Sequence, residues 1–362
     1  MKKTLAMILA VVLMLSVLVA CGGGNNNNNT TPGTTGGDDA ATNETVFKLN
    51  IDYPNPENSA IYPALVQWAD YVREQSGGRI DPTIYSGGAL GSLFDVVTNC
   101  ESGVTDGFWS GVTIYAGVFP ATEVLGLPML GAADQHVMNA VLNALITETD
   151  LFASDWENFK VVALHTSTTS PILFSKPVNS IADMAGLNLR ISNAYTTEWF
   201  TQLGAAPVSM SINDGYENIQ KAVVDGGLFF FDQVQSSALY EVVDTVYIGE
   251  TISALTMFCL NKDVYDSMPA DLQAIIDESS AFFLSLTPDI YDKQQADMIA
   301  KFEEYNVNLF YETPESREAL TSVVQSSWDK WIEVMNERGY DGQKIFDTAR
   351  EYIEHYNGVF GY

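Results

Sequence analysis

Residues Asn179–Ser192 read NSIADMAGLNLRIS, followed by LGAAPVSM at Leu203–Met210 and ENIQKAVVDG at Glu217–Gly226. Leu187, Leu189 and Ile191 alternate with Asn188, Arg190 and Ser192, the two-residue period of a strand with one apolar face. Ser180 is placed to cap a short turn before Gly186, and Asn193–Leu203 and Asn213–Val223 read as helices, each ended by a glycine soon afterwards. Gly226–Phe231 then reads as the next strand. Strands and helices alternating at these lengths indicate an α/β architecture. Arg190 stands on the polar side of its strand and is the only arginine between Arg79 and Arg317, in a chain of formal charge −29. A guanidinium offers five donors in a planar fork that matches a carboxylate through two parallel bonds. Spacing alone leaves two readings, an anion-holding site or a surface arginine paired with one of the many acids, and the second is the default.

The same alternation extends both ways along the chain. Phe47–Ile51 reads as a strand, a helix runs from Ser59 to about Gln75, and Arg79–Tyr85 is a second strand. A helix over Leu90–Glu101 and a strand over Gly103–Trp109 follow, then a helix over Ala133–Ile146. Lys160–Leu164, Ile172–Ser175, Val243–Ile248, Thr256–Leu260 and Val307–Phe310 read as strands. Pro269 opens a long helix towards Tyr305, and helices over Pro314–Glu337 and Gln343–His355 finish the chain.

The N-terminus points to export. Lys2 and Lys3 precede an apolar run from Leu5 to Val19, and Leu18–Cys21 reads LVAC before three glycines. This pattern is that of a lipoprotein signal, with cleavage before Cys21 and lipid carried on that cysteine; an ordinary cleaved signal is the alternative. Gly22–Thr45, GGGNNNNNTTPGTTGGDD and onwards, is too polar to bury and reads as a flexible tether. The acidic balance argues against nucleic acid, because no basic stripe exists to displace counterions. Cys100 and Cys259 lack any CxxC or Cys/His metal spacing and read as buried thiols, with a disulfide between them left open. No metal or cofactor is expected.

Several blocks in fixed order carry a resemblance: WADYVREQSGGRIDPTIYSGGALG (Trp68–Gly91), ESGVTDG (Glu101–Gly107), LGLPML (Leu125–Leu130), SKPVNSIADMAGLNLRI (Ser175–Ile191), LGAAPVSM, VVDG (Val223–Gly226) and YDSMPADLQAII (Tyr265–Ile276). Over about Phe47 to Asp347 the chain resembles the DctP-type solute receptors of tripartite ATP-independent periplasmic (TRAP) transporters. The resemblance implies a two-lobed α/β fold, like that of periplasmic binding proteins, with a ligand cleft between the lobes and long C-terminal helices. The expected division is a signal over 1–20, the lipidated cysteine and linker over 21–45, a first lobe from 46–166 with 253–310, a second lobe over 167–252, and C-terminal helices over 311–362 packing on the lobes. Hinges are expected near Leu164–Thr168 and Thr251–Thr256. Arg190 matches the family arginine that receives the ligand carboxylate. The implied partners are a small carboxylic acid, the membrane permease subunits, and the outer face of the membrane through the lipid anchor; a monomer is expected.

The chain also departs from the family pattern. An amide that relatives carry after VDG is Phe229 here, a second basic residue falls near Ser170, and a polar position after the ESGVTDG block falls near Trp109–Gly111. The expected pocket is therefore apolar: Trp109, Phe229 and Phe231, with Tyr53, Tyr195 and Ser170, around Arg190, holding a monocarboxylate with an apolar or aromatic body. Strand alternation would put Phe229 and Phe231 on one face. The rivals are an exported carbohydrate-active hydrolase using an acid pair such as Asp106 and Asp232, a sensor-linked receptor lipoprotein, and a surface lipoprotein without ligand. The three histidines, His136, His165 and His355, form no metal motif, and no G-x-S-x-G elbow is present, so no enzyme activity is expected.

Overall fold

A computed structural model describes residues 45–362 apart from 116, 133, 192–193 and 212–213. Cys21 and the tether lie outside the described residues. Two mixed sheets organise the chain. The first has the order β2-β1-β3-β10-β4, made of β1 (Phe47–Tyr53), β2 (Ile80–Ser86), β3 (Gly107–Gly111), β4 (Phe159–Thr169) and β10 (Ser253–Asn261). The second has the order β11-β9-β5-β8-β6-β7, made of β5 (Ile172–Phe174), β6 (Asn188–Ile191), β7 (Ala206–Ser209), β8 (Gly226–Leu228), β9 (Thr245–Ile248) and β11 (Asn308–Tyr311). Strands joined through helices pair parallel, as β1 does with β2 and β3 and β6 with β7 and β8, because a crossover returns the chain in the same direction. β10 is antiparallel to both β3 and β4.

Each sheet is covered on both faces. One face of the first sheet packs Phe108, Leu164, Met257 and Cys259 against α2 (Val96–Glu101), α3 (Gln135–Glu148) and the C-terminal helices α9 (Gln325–Glu337) and α10 (Gly342–Phe360). The other packs Tyr53, Trp109, Ala163 and Phe258 against α1 (Tyr62–Gln75) and α7 (Ala270–Glu304). In the second sheet Leu189 and Ile191 go into a core with Trp199 and Phe200 of α4 (Ala194–Gln202) and Leu320 of α8 (Pro314–Thr321). The opposite face packs Leu173, Val246 and Phe229 with Ile219 of α5 (Gly215–Gln220), Phe231 of α6 (Phe231–Ser236), and Met298 and Phe302 of α7.

α7 thus serves both sheets, with Phe283 and Tyr291 in one core and Met298 and Phe302 in the other. Pro288 interrupts its hydrogen-bond ladder, and the Leu284 carbonyl that loses its N–H partner accepts from Thr287 Oγ1 at 3.2 Å. The two other links between the sheets run side by side. Ser170 N donates to Ile252 O at 2.7 Å, Thr169 Oγ1 to Gly249 O at 2.9 Å, and Thr251 Oγ1 to Ser170 O. Any relative motion of the sheets must therefore flex a paired strap and a long proline-bearing helix together.

Three expectations need correction. β11 pairs with β9 in the second sheet, although residues up to 310 were assigned to the first lobe. The helix expected over Leu90–Glu101 is helical only from Val96, because Gly87 and Gly88 hold positive φ and the chain turns again before Asp95. The strand expected over Gly226–Phe231 stops at Leu228, and a helix begins at Phe231. Phe229 and Phe231 therefore share a core without sharing a strand face. Cys100 and Cys259 are both buried and both free. Among the described residues no helix is long and apolar enough to cross a membrane.

Candidate functional site

Arg190 is the third residue of β6, and its side chain leaves the strand on the face opposite Leu189 and Ile191. It is only 6% exposed, which rules out the surface reading. Nη1 donates to Leu228 O at 2.7 Å and Nε approaches Met210 O at 3.4 Å. The guanidinium carbon lies 5.1 Å from the centroid of the Phe229 ring. Among the described residues no carboxylate pairs with it, and desolvation pushes its pKa down to about 10. Three polar or π partners fix its direction, and among the described residues Nη2 has no partner.

Glycines make this geometry feasible. β8 runs between β5 and β6, and a Cβ on Gly227 would lie 2.4 Å from Arg190 O and 2.6 Å from Arg190 N, at φ +149°. A Cβ on Gly226 would meet Leu173 O on the other side. The Gly-Gly pair lets the three backbones close up and aims Leu228 O at the arginine.

In the first sheet Tyr53, Trp109 and His165 form a bonded aromatic set. Tyr53, the last residue of β1, meets the Trp109 ring edge-on at 5.4 Å. Trp109 Nε1 donates to His165 Nε2 at 3.0 Å. Thr256 Oγ1 lies 2.9 Å from His165 Nδ1 and 2.7 Å from His165 O. The threonine hydroxyl has one hydrogen, and the carbonyl takes it, so Nδ1 carries the imidazole proton and Nε2 accepts from the indole. Tyr291 of α7 stacks on the imidazole at 5.8 Å. Burial holds His165 neutral, with its pKa pushed down to about 3. His165 was passed over in the sequence because it carries no motif; its only signal was a histidine among the apolar residues of a strand.

Asp232 is the second residue of α6. It is half-buried, desolvation raises its carboxyl, and its charge adds to the burial that pushes Tyr53 up to about 12 and Tyr291 well above its usual value. Asp106, its suggested catalytic partner, is instead tied to Asn50 N at 2.8 Å and Asn50 Nδ2 at 3.1 Å.

The other expected residues are placed differently. Phe229 supports the guanidinium and is itself fully packed, with a Cβ on Gly215 predicted to fall 2.9 Å from its ring. Phe231 is buried beside Met298 and Phe302. Ser170 lies in the paired strap. Tyr195 is half-buried against the core of the first sheet, where burial and Glu123 raise its hydroxyl and Arg338 opposes them. Among the described residues no group of three His, Cys, Asp or Glu is arranged to hold a metal.

Comparison with known proteins fits this arrangement. Residues 52–334 match the family DctP, described as bacterial extracellular solute-binding protein, family 7. A solute-binding protein of Chromohalobacter salexigens is 25% identical over 226 residues, covering 62% of this chain and 65% of its own. The 2,3-diketo-L-gulonate-binding periplasmic protein YiaO of Escherichia coli K12 is 22% identical over 235 residues, 64% of this chain and 71% of its own. The chain thus spans about two thirds of the length of these relatives. A crystal structure of a marine metagenome TRAP solute binding protein specific for aromatic acid ligands, in complex with metahydroxyphenylacetate, superposes with a TM-score of 0.77 at 23% identity, covering 86% of this chain and 99% of that one. That likeness establishes the two-lobed fold.

Proposed function

The chain belongs to family 7 of the bacterial extracellular solute-binding proteins, the DctP-type TRAP receptors, and from that premise we propose that it captures a monocarboxylic acid with an apolar or aromatic body and delivers it to a membrane permease. The family is one of transport receptors that bind small organic acids outside the cytoplasm. The observation that carries the finer reading is Arg190, buried without an acidic partner and with Nη2 unpaired among the described residues. An incoming carboxylate supplies the missing charge and the missing acceptor together. Tyr53 and Trp109 offer rigid apolar area for the body of the acid. The relatives' names support a carboxylate, one a diketo-sugar acid and one aromatic acids. Tethering through a lipid on Cys21 completes the proposal.

Binding would close the lobes as a population shift, driven only by contacts stronger in the closed form. With a net charge of −29 the surface repels anions at long range, so Arg190 acts locally and does not steer. The test is calorimetric titration of wild type, Arg190→Lys and Arg190→Met with aromatic monocarboxylates, C4 dicarboxylates and sugar acids. Wild type should bind the aromatic set, and Arg190→Met should lose roughly 2–5 kcal/mol of binding, with Arg190→Lys recovering part. Binding confined to dicarboxylates or sugar acids would sink the aromatic reading, and turnover of any bound acid would sink the receptor reading.

A further inference from the structure

We propose that Asp225 is a positioning residue of the ligand site: its carboxylate pins the start of β8 against the start of β6 and so aims Leu228 O at the Arg190 guanidinium. This rests on the carboxylate-receptor reading above. Asp225 is the acid of the VVDG block and directly precedes β8. It is 6% exposed, and both carboxylate oxygens are engaged. Oδ2 accepts from Asn188 N at 2.9 Å, and Oδ1 accepts from Lys176 Nζ at 2.7 Å. The backbone N of Asp225 donates to Asn188 O at 2.7 Å, and its carbonyl accepts from Ser175 N at 2.9 Å and Ser175 Oγ at 3.2 Å. One residue thus ties the start of β8 to the first residue of β6 and to the residue that follows β5.

β8 needs such an anchor. It is three residues long, and Gly226 and Gly227 leave it Leu228 as its only side chain. Glycines lose the most conformational freedom on ordering and weaken a strand interior. Nothing larger fits, because a Cβ at either position would enter the neighbouring backbone. The glycines that permit the close approach therefore cannot hold it by packing, and the hold falls to the ends of the strand. At one end Leu228 packs in the core with Leu189 and Ile191; at the other stands Asp225. Between them Gly227 pairs with Arg190, and Leu228 O meets Nη1 at 2.7 Å. The charge of Asp225 is taken up by Lys176 and Asn188 N, so it acts on the arginine through the strand. A guanidinium that must meet a carboxylate in two parallel bonds tolerates little misaiming.

The experiment titrates phenylacetate into wild type, Asp225→Ala, Asp225→Glu, Asp225→Asn and Lys176→Met, below the unfolding midpoint of each. Asp225→Ala removes the pin, and Asp225→Glu keeps the charge but carries its oxygens one methylene too far. Each should weaken binding about ten- to a hundred-fold, the scale of one hydrogen bond to a charged group. Asp225→Asn keeps an oxygen for Asn188 N and should bind as wild type does, as should Lys176→Met. In an Arg190→Met background Asp225→Ala should cost nothing further. The Arg190 Nε–Hε resonance of the ligand-free protein, assigned by its absence in Arg190→Met, should exchange faster in Asp225→Ala and stay unchanged in Asp225→Asn. The proposal is overturned if Asp225→Ala and Asp225→Glu bind as wild type, if their losses persist without the arginine, or if the arginine resonance is unmoved. It is overturned too if Lys176→Met loses as much, which assigns the role to the ion pair, or if neither variant folds, which makes Asp225 a residue of the fold alone. Wild type binding no acid at all overturns the receptor reading instead, and the ligand-free arginine resonance then still tests the pin.

Discussion

Asp52→Asn is expected to leave stability nearly unchanged near pH 4.5 and to raise it at pH 7–8. Asp52 is the penultimate residue of β1, in register with Tyr85 of β2 and Phe108 of β3. It is fully buried, neither carboxylate oxygen has a hydrogen-bond partner, and desolvation alone pushes its pKa up to about 6. The folded protein therefore keeps a proton through a window in which the unfolded chain has lost it. A native pKa above the unfolded value means a contribution present below about pH 4 and lost progressively as pH rises to about 6. A shift of about two units corresponds to ~3 kcal/mol, or roughly 5 °C in melting temperature for a body of this size. Asparagine has the same shape and cannot ionise, so the variant escapes that loss.

The wild-type profile by itself does not isolate the effect. Asp155 is also pushed up to about 6 by burial, against three hydrogen bonds from Ala121 and Thr122, and acts with the same sign. His165, with its pKa pushed down to about 3, acts with the opposite sign. Both are common to the two proteins and cancel in the difference. Urea unfolding of wild type and Asp52→Asn at each pH between 4.5 and 8 gives that difference directly. A difference that does not vary with pH, or a variant less stable at pH 8, would refute the reasoning and show that the Asp52 carboxylate is compensated.

His165→Leu should cost roughly 1–3 kcal/mol by leaving the Trp109 indole N–H without an acceptor, while Thr256 keeps its bond to the backbone carbonyl of residue 165, read by urea unfolding at pH 7. It should also remove the loss of stability that a depressed imidazole pKa imposes as pH falls from about 6.5 towards 3. Gly227→Ala should destabilise by ~3 kcal/mol or more, because its Cβ would enter the Arg190 backbone at a φ unsuited to L-residues; any folded fraction should have lost acid binding in the titration used for Arg190.

The fold was legible because its signals were local. Strand β6 showed its period in Leu187–Ile191, the turn before Gly186 its capping box from Ser180 to Asp183, and the 35-residue helix its opening proline. The candidate site was legible at Arg190 through its isolation and its neighbouring blocks. It was not legible at Phe229–Phe231, because three consecutive phenylalanines carry no period, and only tertiary packing ends the strand at Leu228 and starts a helix at Phe231. His165, Thr256 and Tyr291 lie far apart in sequence and meet only when β4, β10 and α7 assemble.

Burial of a guanidinium with no acidic partner among the described residues gives ligand choice a sign. Lowering the Arg190 pKa from 12.5 to about 10 corresponds to ~3 kcal/mol of desolvation, partly offset by its bonds to Leu228 O and Met210 O. The partners of the guanidinium, Leu228 O, Met210 O and the Phe229 ring, belong to its own sheet and the segments beside it, and an anion placed at Nη2 would relieve the remaining cost. Relief of ~3 kcal/mol would correspond to on the order of a hundred-fold in affinity for an acid over a neutral ligand. A neutral ligand of the same shape could gain the aromatic contacts at Tyr53 and Trp109 but would leave the arginine uncompensated. The desolvation of Arg190 would thus favour carboxylates over neutral ligands of the same shape.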